Sequence, residues 1–225
     1  MDRVAAVLLL AFLALAVAGC GGGGSKAAPA DRIIVAALGD SITSGSPGYD
    51  PDRRQRKLLG FGGDEHSQWE YWAARKDQRL VFRNCGVYGE TTEQIALRLE
   101  SCAKGADVVV VQGGINDVAQ GVPVATAARN LEGMVRRGKA LGLKVALVDV
   151  LPWNNGYPGA DPAIRRLNRL IHALARGEGL SLLPFHDTLE DPQRPGRMPE
   201  RLTADGDHPS VEGYRLLGER AFHLP

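Results

Sequence analysis

Ser41, Asn116, Asp205 and His208 are the residues of this chain whose types and surroundings best suit chemistry. Ser41 lies in Leu38-Gly39-Asp40-Ser41-Ile42-Thr43-Ser44-Gly45, a tight Gly/Asp turn directly after an apolar run. A serine hydroxyl is a weak nucleophile at neutral pH. It needs a base to take its proton, the base needs an orienting acceptor, and a developing oxyanion needs donors already in place. His208 suits the base. Asp205, three residues earlier, suits the acceptor on the other ring nitrogen. Asp207 adjoins the histidine, and adjacent side chains rarely point the right way for such a bond, so Asp205 is preferred. The Asn116 amide and the backbone N–H groups of Ser41 and Gly86 are the candidate oxyanion donors. Asp40 and Asp117 are expected to brace loops, His186 is a decoy base and His172 a surface histidine.

These residues need a scaffold that brings distant loops together. Ile33–Leu38, Leu80–Phe82, Asp107–Gln112, Leu143–Leu151 and Leu180–Leu183 read as five strands. Asp107–Gln112 has the continuous β-branched character of a strand buried on both faces. Between them lie helical patterns with apolar positions three and four apart: Ile95, Leu99 and Cys102; Ala127, Leu131, Met134 and Val135; Ile164, Leu167, Ile171 and Leu174. Ser67 with Glu70 and Thr91 with Gln94 have the spacing of capping boxes. Gly142 and Gly177 are expected helix stops, and Ser210 an N-cap. Strands alternating with helices predict a three-layer α/β/α fold, with a flavodoxin-like parallel sheet of order 2-1-3-4-5. The loops after strands one, two, three and five then meet at the carboxyl edge of one sheet, where open α/β folds bind ligands.

Gly39-Asp40-Ser41, Gly86 within N-C-G-V-Y-G-E-T-T, Gly114-Ile115-Asn116-Asp117 and Asp205-Gly206-Asp207-His208-Pro209 together resemble, in order, the four sequence blocks of the SGNH (GDSL) hydrolases. The resemblance spans nearly all of residues 32–225 and is similar in style to the bacterial thioesterase, arylesterase and lysophospholipase branch. It implies ester hydrolysis through an acyl-enzyme without metal or cofactor. It also implies Ser41 as nucleophile and first oxyanion donor, Gly86 and Asn116 as further donors, Asp205 as orienter and His208 as base. The serine lacks the G-x-S-x-G elbow of the α/β-hydrolases. An acyltransferase on the same site and a non-catalytic ligand-binding lipoprotein are the alternatives. Trp153, Asn154 and Tyr157, in a turn-rich loop, are the expected substrate-lining residues. The basic cluster Arg53, Arg54, Arg56 and Lys57 reads as a solvated loop or a rim contact for an anionic substrate. Small-acyl, carbohydrate-linked and lysophospholipid esters are the expected substrates.

Composition narrows the alternatives. The 225 residues are 44% hydrophobic and 24% charged with net charge +1, which gives no general attraction to nucleic acid. No C-x-x-C or H-E-x-x-H is present, so a zinc site has little support. Residues 1–19 read as a signal peptide, with Arg3 before an apolar stretch from Val4 to Ala18. Val17-Ala18-Gly19-Cys20 resembles the bacterial lipobox, making Cys20 the expected lipidation site. Residues 20–31 would be a flexible tether, and residues 32–225 a monomeric catalytic domain anchored in the cell envelope, facing the periplasm or exterior. Cys85 and Cys102 would lie in an oxidising compartment, yet near opposite ends of a strand-loop-helix unit, and are expected to remain unpaired.

Overall fold

The computed structural model describes residues 32–225. The amino-terminal segment, with the expected signal peptide, Cys20 and the tether, lies outside the described residues. In chain order the elements are β1 (Ile33–Gly39), α1 (Ser41–Ser44), α2 (Arg53–Leu59), α3 (Trp69–Lys76), β2 (Leu80–Gly86), α4 (Thr92–Leu97), α5 (Leu99–Ala103), β3 (Val108–Val111), α6 (Ile115–Ala119), α7 (Val124–Ala140), β4 (Lys144–Val148), α8 (Asp161–Glu178), β5 (Ser181–Leu183), α9 (Phe185–Leu189) and α10 (Val211–Leu216). The strands form one sheet in the order β2-β1-β3-β4-β5, parallel throughout, as the alternation of strand and helix predicts.

Strand alternation divides the core. Val35, Ala37, Val108, Val110, Ala146 and Val148 face a layer containing Trp69 of α3, Phe185 of α9 and Tyr214 of α10. Ala36, Leu38, Val109, Val111, Val145 and Leu147 face α7 and α8 through Leu131, Val135, Leu167 and Ile171. Both faces of the central strands are therefore dry, and each fully buried aliphatic side chain contributes about 1.5–3 kcal/mol. That double-sided burial explains the near-continuous apolar runs of β1 and β3.

Several local expectations change. β2 continues past Phe82 to Gly86, because parallel pairing with β1 runs from Ile33 opposite Leu80 to Gly39 opposite Gly86. Ser67 and Glu70 do not make a capping box: α3 begins at Trp69, Gln68 occupies its N-cap, and Glu70 turns into the core. Burial pushes the Glu70 carboxyl well above its ordinary value. Thr91 and Gln94 do form the reciprocal box, and Ser210 caps α10 by accepting from the Gly213 N–H. α8 runs through Gly177 and stops at the left-handed Gly179.

Cys85 and Cys102 are joined in a disulfide with a Cα–Cα distance of 6.1 Å, correcting the expectation that they stay apart. The helical run is interrupted at Arg98, between α4 and α5, and α5 carries Cys102 to its partner at the end of β2. No helix among the described residues is long and apolar enough to cross a membrane.

Candidate active site

The serine turn is held by the strands on which it sits. Asp40 caps α1, its Oδ1 accepting the Ile42 N–H at 2.9 Å. Gln112, just past β3, accepts the Asp40 N–H at 3.1 Å and the Thr43 hydroxyl at 2.8 Å through its single Oε1. This crossing leaves no room for a side chain at residue 39, where a Cβ would lie 2.2 Å from Thr43 Oγ1. Ser41 is thereby fixed at the first position of α1, where helix geometry leaves backbone N–H groups without intrahelical partners.

His208 reaches this serine from the loop before α10. Its Nε2 is 3.0 Å from Ser41 Oγ, and its Nδ1 is 2.8 Å from Asp205 Oδ2. Asp205 Oδ1 accepts the N–H groups of Asp207 at 2.9 Å and His208 at 2.8 Å. Burial alone would raise the Asp205 carboxyl. The His208 hydrogen bond and charge and the two backbone N–H groups outweigh it, holding the carboxyl at about 2. An ionised Asp205 requires Nδ1 to carry the donated proton, which leaves the Nε2 lone pair facing the serine hydroxyl. Asp207 points elsewhere, accepting from Trp153 Nε1 at 2.6 Å and Asn155 Nδ2 at 2.7 Å. The structure brings Asp205, not Asp207, to the imidazole.

Beside the serine is a cleft of about 110 Å³ lined by Ser41, Tyr88, Gly89, Asn116, Trp153 and His208, among others. Asn116, in α6, donates through Nδ2 to the Glu90 carbonyl at 2.9 Å. Gly86 is not among the lining residues. Its N–H donates to Asn84 Oδ1 at 2.9 Å, and a Cβ there would lie 2.0 Å from Ser44 N, so it is a packing glycine under the serine turn. Gly89, three residues on, lines the cleft in its place. Tyr88 is a second residue not anticipated from sequence: its ring lies 6.1 Å from the His208 ring and 5.2 Å from Phe61.

Of the three expected lining residues, only Trp153 reaches the cleft. Asn154 instead bonds the Met198 backbone in both directions, at 2.9 and 2.7 Å, and Tyr157 packs beneath the Arg197 guanidinium. Arg53, Arg54 and Lys57 are exposed on α2 and do not line the cleft. Asp117 braces the site from behind, accepting from Thr92 N and Oγ1 at 2.8 and 2.7 Å.

His172 is not a free surface residue: its Nε2 lies 3.0 Å from buried Asp149. His186 Nδ1 is 2.7 Å from the Val150 carbonyl, remote from Ser41 in the bonding scheme. His186, Asp187 and Glu190 place ligand-type atoms within 4.8 Å of one another. Glu190 is already bonded to Arg165 at 2.9 Å and to the Gly196 N–H at 2.6 Å, a poor arrangement for receiving a cation.

A parallel α/β/α sheet with serine, imidazole and carboxylate hydrogen-bonded in series at its carboxyl edge places the protein in the flavodoxin-like class of serine-bearing α/β folds. The sequence profile of the GDSL-like lipase/acylhydrolase family matches residues 37–216. The chain belongs to that family and is a carboxylic ester hydrolase. It is 33% identical over 150 residues to the esterase TesA of Pseudomonas aeruginosa, covering 65% of this chain and 69% of that protein. It is 27% identical over 214 residues to the spore germination lipase LipC of Bacillus licheniformis, covering 82% of this chain and 92% of that protein. The fold is similar to that of a G-D-S-L family lipolytic protein from Desulfitobacterium hafniense, with a TM-score of 0.70 and 24% identity over 84% of this chain and 97% of that one.

Proposed function

We propose that the protein hydrolyses short-chain acyl esters through a covalent acyl-enzyme on Ser41, with His208 as general base and Asp205 as its orienter. The unbroken series Ser41 Oγ, His208 Nε2, His208 Nδ1 and Asp205 Oδ2, at 3.0 and 2.8 Å, carries this assignment. His208 takes the hydroxyl proton as Ser41 Oγ bonds to the ester carbonyl carbon. The carbonyl oxygen, now negative, is received by the N–H groups of Ser41 and Gly89 and by Asn116 Nδ2. Collapse of the tetrahedral species breaks the ester C–O bond, and His208 returns its proton to the departing alcohol. Water then repeats the sequence on the acyl-serine and releases the acid. None of these steps needs a metal or cofactor.

The cleft supports a short acyl group. Its roughly 110 Å³ is well below the ~300 Å³ at which drug-sized ligand pockets begin. The alcohol side, bordered by Tyr88 and Trp153, suits a larger group such as a sugar ring. Nitrophenyl esters of increasing acyl length, run beside acetylated sugars and lysophospholipid, test this. Turnover should fall steeply beyond short acyl chains, whereas a preference for long chains would contradict the assignment. Release of acyl-sugar in place of free acid, with glycan acceptors competing against water, would make the protein an O-acyltransferase on the same site. Loss of turnover of every ester would leave a non-catalytic ligand-binding lipoprotein.

We further propose that Cys20 is the first residue of the mature protein and carries the lipid that tethers this domain to the outward side of a bacterial membrane. Val17-Ala18-Gly19-Cys20 followed by Gly21–Gly24 supports this. Wild-type protein should incorporate labelled palmitate and Cys20→Ala should not; membrane fractionation unchanged in Cys20→Ala would refute the anchor.

A further inference from the structure

We propose that Arg98 is a positioning residue for the oxyanion side of the cleft, acting through Glu90 on Asn116 and on the Gly89 turn. It deepens the function proposed above and rests on the placement of Asn116 and Gly89 as oxyanion donors.

Arg98 stands at the break between α4 and α5, and its guanidinium gathers three pieces of chain. Nη1 donates to the Cys85 carbonyl at 2.7 Å and Nη2 to the Gly39 carbonyl at 3.1 Å. Those carbonyls belong to the ends of β2 and β1, the strands that lead into the Gly89 turn and the Ser41 turn. Nε and Nη2 fork onto the Glu90 carboxylate, Nε at 3.1 and 2.9 Å from its two oxygens and Nη2 at 2.5 Å. Glu90 follows Gly89 directly, and its backbone carbonyl accepts the Asn116 amide at 2.9 Å.

A single planar cation therefore fixes the two strand ends relative to one another, and fixes to both of them the residue that orients the candidate donor amide. The pair is largely shielded, with side-chain exposures of 25% for Arg98 and 17% for Glu90, so water competes weakly for these bonds. Lysine cannot reproduce the arrangement, because it presents a point charge and no fork. Arg98 is absent from the cleft lining, so it acts on the reaction only through the groups it holds.

A purely structural ion pair would change the amount of folded protein without changing the folded enzyme's turnover. The test is a double-mutant cycle in the full-length chain between Arg98→Ala and Asn116→Ala on nitrophenyl acetate, with rates expressed per fluorophosphonate-reactive site. Arg98→Ala should lower kcat by roughly 10- to 100-fold, with KM little changed, a fraction of the ~10²–10³ seen on deleting an oxyanion donor outright. In the Asn116→Ala background the same change should cost clearly less, since groups acting as a unit are non-additive, and what remains is the share that acts through the Gly89 turn. Equal factors in the two backgrounds would overturn the proposal. Glu90→Gln replaces Arg98→Ala in the cycle where the alanine variant fails to fold. The Asn116 side-chain amide resonances supply a readout independent of turnover: they should shift or broaden in Arg98→Lys and Glu90→Gln, and unmoved resonances would also overturn the proposal. If Asn116→Ala leaves turnover intact, the oxyanion assignment fails while those resonances still decide whether Arg98 positions the amide.

Discussion

Asp40 sits directly before Ser41, fully buried, and its carboxyl gives the most quantitative prediction. Oδ1 accepts the Ile42 N–H, while Oδ2 has no partner among the described residues. Burial pushes the carboxyl from an ordinary 3.8 to about 6, against the opposing pull of the Ile42 N–H, Gln112 and the His208 charge. Because the folded-state value lies above the unfolded one, the folded chain holds this proton more tightly. The contribution of Asp40 to stability is therefore most favourable at low pH and falls as pH rises from about 4 to about 6. A displacement of this size corresponds to roughly 3 kcal/mol. Asp40→Asn keeps an acceptor for the Ile42 N–H but cannot ionise. Urea unfolding of wild type and variant at several pH values isolates the term, because other carboxyls titrate equally in both proteins. The stability of Asp40→Asn relative to wild type should improve by about 2.5 kcal/mol between pH ~4 and pH ~7.5. The unpaired Asn amide adds only a pH-independent offset. A flat difference across that interval would refute the reasoning.

Other consequences follow from the same geometry. Asp205→Asn should reduce kcat by on the order of 10⁴, as loss of a triad carboxylate does elsewhere, while Asp207→Asn, which touches Trp153 and Asn155, should cost far less; steady-state kinetics on nitrophenyl acetate separates the two. The lowered Asp205 value implies a stabilising contribution present above the ordinary carboxylate range and lost as pH falls towards about 2; solvent exposure of the side chain keeps that contribution small. Gly86→Ala should unfold the serine turn, because its Cβ would meet Ser44 N at 2.0 Å, and circular dichroism with ester turnover would report both losses together. Removing the Cys85–Cys102 bond by paired alanine substitutions should cost about 3 kcal/mol, given a separation of 17 residues, and appear as a lowered Tm.

The parts of the fold visible in sequence are those decided by local pattern. Double-sided burial writes β1 and β3 as apolar runs, and the amphipathic spacing of α7 and α8 marks their inward faces. Residues brought together by long-range register were less legible. Which glycine of N-C-G-V-Y-G faces the cleft depends on Gly39 pairing with Gly86, and the Val87 N–H bonding the Gly39 carbonyl at 3.0 Å, which ends the ladder and leaves Gly89 to turn outward. The disulfide depends on the packing of α5 beside the end of β2, which residue spacing does not encode. Ser67 and Glu70 have capping-box spacing, yet tertiary packing draws Glu70 inward and moves the helix start. In the Trp153–Tyr157 loop, composition could not say that only Trp153 reaches the cleft, since Asn154 and Tyr157 are taken up by Met198 and Arg197. Asp205 was legible for a simple reason: three residues back along a tight loop lets a carboxylate turn towards the imidazole, and the adjacent position does not.

The most direct test of the central claim is covalent labelling of Ser41. A fluorophosphonate incubated with the full-length protein should form one adduct, located by peptide mass at Ser41, with ester turnover lost in step with labelling. Ser41→Ala should neither label nor turn over, and His208→Ala should label far more slowly. Labelling or ester hydrolysis that survives in Ser41→Ala would contradict the account.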